Sequence, residues 1–349
     1  MPGLYYEEFQ PGQIFDHATR RTMTEMDNVL MCALTANPQP LCIDAEYAKG
    51  TVFGQRLVNG LFVFGFVAGV PVPDMTLGTT LGNLGFEDVK FTKPVFIGDT
   101  VRARTEITAK RESKKRSDSG IVFFRHYGIN QRDEIVLQAD RAGLMLKVPA
   151  GLDRSGVNPP APSVGYQSPA RSVSGTGTAK VESAKSQAAG PLNQEKNATG
   201  GLHFEDCREG LVIEHAIHRT VTETDNLMFS AMTYNCAPLH IDAEYSKGSI
   251  FGQRLVNSMY LIGLVSGITV IETTLGTTLA NVGYEDIQFP KPVFHGDTIR
   301  VRTEIVKARP SKSRSDCGVV TFRHVGINQR GEEVCIALRT GLMLLRPKH

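Results

Sequence analysis

Two stretches of this chain are almost identical and differ where chemistry could be done: PQPLCIDAEY (38–47) and CAPLHIDAEY (236–245). The second has His240 where the first has Cys42. An imidazole is the one group nearby that titrates near neutral pH unaided, so it can take a proton from water and later return it. Five residues upstream, Asn235 cannot accept a proton, but its amide can orient a water by accepting one hydrogen bond and donating another. Asp242 offers a carboxylate, yet the first stretch keeps it as Asp44 without a histidine, which favours a turn or capping role. A lone histidine is ordinarily a surface or core residue. Here it follows a short helix and a proline in a loop, and loops held by a rigid scaffold are where chemistry is usually carried.

The elements that hold these residues come in duplicate. Sliding the sequence by 198 positions aligns 3–146 with 201–344 without a gap, and more than half of the aligned residues are identical. Shared landmarks include FGQRLVN (53–59 and 251–257), LGTT (77–80 and 275–278) and GINQR (128–132 and 326–330). The expected organisation is one domain over 1–148, a Pro/Ser/Gly/Ala-rich linker over 149–200 and a second domain over 201–349. In the second copy, 212–221 reads as a strand. Thr222 caps a short helix with Asp225 in its first turn. The run 255–270 is apolar nearly all round, as a buried helix would be. Four strands follow, over 277–289, 298–308, 318–326 and 333–345, with turns at HGDT (295–298) and QRGE (329–332). One long helix wrapped by an antiparallel sheet is an α+β arrangement, and two copies can complete each other's sheet edge as an intramolecular dimer.

Composition narrows the function. A net charge of +2, with 41% hydrophobic and 21% charged residues, suits an ordinary globular protein and argues against a nucleic-acid partner. No apolar run reaches the roughly 20 residues of a membrane span. The start, MPGLYYEEFQPG, lacks the pattern of a secretory signal, so a cytoplasmic location is expected. Six separated cysteines form no CxxC pair or zinc-like spacing, and neither a metal nor a cofactor is expected.

The segment Asn235-Cys-Ala-Pro-Leu-His240, preceded by VTETDN and followed by FGQRLVNS, resembles the signature of the MaoC-like hotdog-fold (R)-specific enoyl-CoA hydratases. NVGYEDIQFPKPVFHGDT (281–298) resembles the family's second recurring block. In that family an Asp and a His five residues apart form the catalytic pair; here Asn235 stands at the Asp position. Length, a degenerate first copy and the Asn/His pairing resemble the fused double-hotdog type that includes the mesaconyl-CoA hydratases, also called β-methylmalyl-CoA dehydratases. The resemblance implies a tandem double hotdog that adds water reversibly to an enoyl-CoA thioester. His240 and Asn235 would be its catalytic residues.

By the same resemblance the backbone N–H of Ser258 (Gly60 in the first copy) would hold the thioester oxygen. Asn257, Tyr234 and Tyr260 would shape the acyl pocket, and Phe289 would line the CoA tunnel. Coenzyme A would enter as part of the substrate. The basic stretches 110–116 and 309–314 read as charged hairpin tips before they read as CoA contacts. Assembly is left open, with a homo-oligomer of double-domain chains among the options. The rival readings are a hydratase of simple (R)-enoyl-CoA chains, a thioesterase, and a non-catalytic acyl-CoA binder. The thioesterase is disfavoured because 255–270 contains no Asp or Glu.

Overall fold

The computed structural model describes residues 3–160 and 200–347, so most of the expected linker lies outside the described residues. The first repeat runs β1 (Ile14–Thr22), α1 (Glu25–Leu34), α2 (Pro40–Ile43), α3 (Ala45–Lys49), α4 (Gly60–Gly69) and then β2 (Thr80–Phe91), β3 (Thr100–Glu112), β4 (Ser119–Ile129) and β5 (Ile135–Leu146). The second runs β6 (Val212–Glu214), β7 (Arg219–Thr220), α5 (Glu223–Met232), α6 (Pro238–Ile241), α7 (Ala243–Lys247), α8 (Ser258–Thr273) and then β8 (Thr278–Gln288), β9 (Thr298–Pro310), β10 (Cys317–Ile327) and β11 (Glu333–Leu344).

All these strands join one antiparallel sheet in the order β1-β3-β4-β5-β2-β8-β11-β10-β9-β6, with β7 also on β9. The repeats meet in its middle, where β2 pairs β8 through Phe86↔Ile287 and Val89↔Tyr284. Each repeat thereby covers the other's exposed edge. The sheet curls round α4 and α8, whose residues Leu61–Gly69 and Met259–Val270 are buried throughout, as an all-round apolar sequence requires.

Local chemistry explains the helix starts. Thr24 and Thr222 accept the N–H of Asp27 and Asp225, and those carboxylates return to the threonine N–H groups at 2.9 Å, a reciprocal cap in each repeat. The two repeats also lock together. Arg219 pairs with Asp225 and donates to the Ala33 carbonyl of the first repeat at 3.1 Å, while Arg21 pairs with Asp27 and donates to the Met232 carbonyl of the second. The central helices approach the opposite repeat so closely that only glycine fits. A Cβ on Gly267 would lie 1.9 Å from the Thr35 carbonyl oxygen, and one on Gly69 would lie 2.2 Å from that of Thr233.

Several sequence expectations need correction. The strand expected over 212–221 is split into β6 and β7, with His215 between them bonded to Thr303 Oγ1 (2.7 Å) and Glu272 (2.6 Å). The expected loop at His240 contains α6 and α7; Pro238 occupies the first turn of α6, where its missing N–H costs nothing. The buried helix begins at Ser258 and runs to Thr273, so it does contain an acidic residue, Glu272. Its counterpart α4 stops at Gly69 because Pro71 and Pro73 follow. The start of the expected linker is tied down: Arg154 reaches the Glu8 carboxylate at 2.8 Å and the Gly3 carbonyl at 2.9 Å. The HGDT and QRGE turns and the four strands after α8 are present near their expected places. Among the described residues no helix is long and apolar enough to cross a membrane.

Candidate active site

One buried amide assembles the region round His240. Asn226, on α5, has its Nδ2 within 3.0 Å of the His240 carbonyl, 3.1 Å of the Leu255 carbonyl and 3.0 Å of His295 Nε2. Its Oδ1 accepts the N–H of Asn257 at 2.7 Å. A single side chain thus pins α6, the segment leading to α8 and the residue that caps α8. Asn257 in turn accepts the Met259 N–H at 2.9 Å and donates to Ser230 Oγ at 3.2 Å.

The His240 ring has a defined tautomer. Its Nδ1 lies 3.1 Å from the Leu255 carbonyl, which can only accept, so Nδ1 carries the proton and Nε2 keeps its lone pair. Burial lowers the imidazole from 6.5 to about 4; the Leu255 carbonyl opposes this, and Arg141 and His295 add to it. The ring is therefore a neutral base at physiological pH.

His240 lines a cavity of about 310 Å³ built by both repeats. Asn235, Ser258 and Phe289 of the second repeat share it with Asn83, Phe86 and Arg141 of the first. Ser258 is the first residue of α8. Its Oγ accepts from Asn83 Nδ2 at 3.0 Å, and its backbone N–H has no acceptor among the described residues. A free N–H at the positive end of a sixteen-residue helix favours a developing negative charge. Asn235 Oδ1 accepts the Ala237 N–H at 3.1 Å, which engages its acceptor side and leaves the amide nitrogen as the available donor.

Three expected pocket residues stand elsewhere. Tyr260 is fully buried and donates to the Leu34 carbonyl at 3.2 Å, so it fastens α8 to the first repeat. Asn257 is the α8 cap described above. Tyr234 is 47% exposed, with its ring beside Arg21 and Phe66. None of the three lines the cavity. Asp242 caps α7 by accepting the Tyr245 N–H at 2.9 Å, the role its retention as Asp44 pointed to. In the basic stretches, Arg116 and Arg314 pair with Asp118 and Asp316 at the hairpin tips.

Sequence reasoning passed over Arg141, Asn83, His295 and Asn226. Arg141 was within reach: on β5 it shares the inward parity of Leu137, Ala139 and Met145, all fully buried, so a charge there faces the interior. His295 stands where the first repeat has Ile97, the same kind of asymmetry that marks His240. Asn226 matches Asn28 and carries no such signal.

The first repeat holds a sister cavity of about 240 Å³ with Cys42, Asn37 and Gly60, together with Arg339, Asn281 and Tyr284 from the second repeat. A hydrogen bond with Cys32, and then burial, push the Cys42 thiol up, so it stays protonated. A Cβ on Gly60 would meet the Phe91 ring at 2.9 Å, so that ring occupies the space beside the α4 start.

Comparison with known proteins agrees with this duplication. The MaoC like domain matches residues 8–122 and again 208–326. The β-methylmalyl-CoA dehydratase of Chloroflexus aurantiacus is 27% identical over 94% of this chain and 89% of its own length. The mesaconyl-CoA hydratase of Cereibacter sphaeroides is 27% identical over 87% of this chain and 83% of its own. The fold is a double hotdog, superposing on a MaoC domain protein dehydratase from Chloroflexus aurantiacus with a TM-score of 0.81, 24% identity and 99% of each chain covered.

Proposed function

Because this chain belongs to the MaoC-like family, with one copy of the domain in each half, we propose that it is an acyl-CoA hydro-lyase with a single active centre, the His240 cavity. One observation carries the reading: in one half a neutral imidazole with a free Nε2 shares a cavity with an unbonded helix-start N–H, whereas in the other half the corresponding helix start, Gly60, shares its cavity with Cys42.

The chemistry follows from those groups. Water approaches the β-carbon of the enoyl thioester. His240 Nε2 takes a proton from it as the C–O bond forms, and the electron pair of the double bond moves onto the thioester oxygen. The Ser258 N–H and the α8 dipole hold that oxygen; losing such a donor typically costs about 3 kcal/mol of barrier. The imidazolium then delivers its proton to the α-carbon, which restores the thioester and the neutral ring. Asn235 donates to the water oxygen and aims its lone pair. Dehydration runs the same steps backwards.

The names of the two full-length relatives point to a branched C4-dicarboxylic enoyl-CoA, with mesaconyl-CoA as the substrate to try first. Hydrolysis of the thioester is not favoured. The acidic residue of α8, Glu272, is paired with His215 at 2.6 Å, fourteen residues from Ser258 and hence about 21 Å along the helix. The test is to mix the full chain with mesaconyl-CoA and follow the enoyl-thioester absorbance while a thiol reagent reports free CoA. The absorbance should fall with no thiol released. Thiol release would replace the hydro-lyase with a thioesterase, and binding with no change in either signal would make the protein an acyl-CoA binder.

A further inference from the structure

The cavity that holds His240 also holds an arginine with no counter-ion. Arg141 projects inward from β5, its guanidinium 5.6 Å from the centroid of the Phe124 ring and its Nε 3.4 Å from Asn83 Oδ1. No carboxylate among the described residues pairs with it, and none of the residues lining the cavity is an Asp or Glu. The contrast on the neighbouring strand is direct: Arg125, which pairs in register with Asp140, is bound to that carboxylate at 2.7 and 2.9 Å. Burial lowers Arg141 only to about 10, so it remains a cation. An unpaired charge in a part-buried site is unfavourable for folding alone, and a ligand that brings the opposite charge removes the penalty.

We propose that Arg141 is the specificity-determining residue of this enzyme, recognising a free carboxylate on the acyl group of the substrate. The proposal deepens the hydro-lyase reading and rests on it. The guanidinium fork matches a carboxylate with two parallel hydrogen bonds. Asn83 couples this subsite to the reacting centre, since it contacts Arg141 through Oδ1 and Ser258 Oγ through Nδ2. The active site is then composite. The second repeat supplies the proton-transfer and oxyanion groups, and the first supplies the group that selects a dicarboxylic acyl chain.

The other source of anionic oxygens is coenzyme A itself, which every acyl-CoA carries, so comparing two acyl chains separates the cases. Initial rates are measured on mesaconyl-CoA and on crotonyl-CoA, which lacks the second carboxylate, for the full chain and for R141Q, R141K and R339Q. Arg339 occupies the equivalent place in the sister cavity, over Phe322. The ratio of kcat/KM for mesaconyl-CoA to that for crotonyl-CoA should fall about 100-fold in R141Q, mainly through KM. It should fall less in R141K, which keeps the charge without the fork. R339Q should leave the ratio as it is.

Equal losses on both substrates in R141Q would indicate a CoA-phosphate contact or a packing role and would overturn the proposal. So would the same change of ratio in R339Q. If the unaltered chain hydrates neither substrate, the hydro-lyase reading falls first. Calorimetric binding of succinyl-CoA against butyryl-CoA then decides Arg141 separately. A preference for the carboxylated ester that R141Q abolishes supports it, and no preference in the unaltered chain overturns it.

Discussion

The two cavities of this molecule are copies that share a scaffold and differ in a few side chains. Asn28 holds the Cys42 and Leu57 carbonyls as Asn226 holds those of His240 and Leu255. Asp44 caps α3 as Asp242 caps α7, each at 2.9 Å. The differences lie where a reaction would occur. His240 corresponds to Cys42, Ser258 to Gly60, and His295 to Ile97. Tyr284 lines the sister cavity where Phe86 lines the His240 cavity, and its hydroxyl is bound to Ser266 at 2.9 Å. The difference teaches that the hydrogen bonds holding the loop belong to the shared scaffold, since they persist in both halves. On the proposed reading, proton transfer uses one half alone.

The comparison can be broken most directly at its centre. His240→Ala should lower kcat by roughly 10²- to 10⁴-fold, the usual worth of a positioned acid–base group, while Cys42→Ala should leave most of the activity. Equal losses measured by enoyl-thioester absorbance would show that the halves are not specialised in this way.

Next comes the oxyanion donor. Ser258→Pro removes the N–H at a position where helices accept proline, and Asn257 already has the extended backbone a following proline requires (φ −60°, ψ 124°). It should cost about 3 kcal/mol of barrier, roughly 100-fold in kcat, whereas Ser258→Ala should cost much less. Similar losses in the two variants would move the role from the backbone to the hydroxyl.

The shared scaffold predicts symmetry. Gly69→Ala and Gly267→Ala each drive a methyl into a carbonyl of the opposite repeat and should each destabilise the chain by about 3 kcal/mol. Thermal unfolding should register similar drops in Tm for both, and a change in only one would reveal unequal packing.

The pH dependence sharpens the electrostatic side. Only neutral His240 has a lone pair on Nε2, and its folded value is about 4, so kcat/KM should hold as pH falls through 6.5 and decline only near 4. Folding responds over the window between those values, because the unfolded chain binds the proton first and stability is lost as pH falls from 6.5 towards 4. An acid limb at 6.5 in the rate profile would mean a solvated ring. The smallest expected effect is that of Cys42→His in a His240→Ala chain, which should restore no activity because the sister cavity keeps Tyr284 where the other has Phe86, and Ile97 stands in place of His295.

Much of this was legible in the sequence. The 198-residue shift gave the duplication, the all-round apolar run gave the central helix, and the Cys42/His240 difference pointed to the half proposed to carry the site. These are local or pairwise properties: a periodicity, a cap, a substitution between aligned copies. What lay outside that reach was everything depending on contact between distant segments. Tyr260 and Asn257 lie within two positions of Ser258 in sequence, yet neighbouring residues of a helix and its cap point in different directions, so one meets the first repeat and the other meets Ser230. The linker's first residues look unstructured by composition, yet Arg154 finds Glu8.

The sequence by itself determined that there are two copies of one α+β unit and that the second carries an imidazole at 240 where the first has Cys42. Only the tertiary structure decided that the cavity round that imidazole is walled by the other copy, with Asn83 and Arg141 arriving on strands β2 and β5. The reason is physical. Pairing β2 with β8 closes the open edge of each sheet, and that closure brings side chains more than a hundred positions apart within hydrogen-bonding distance.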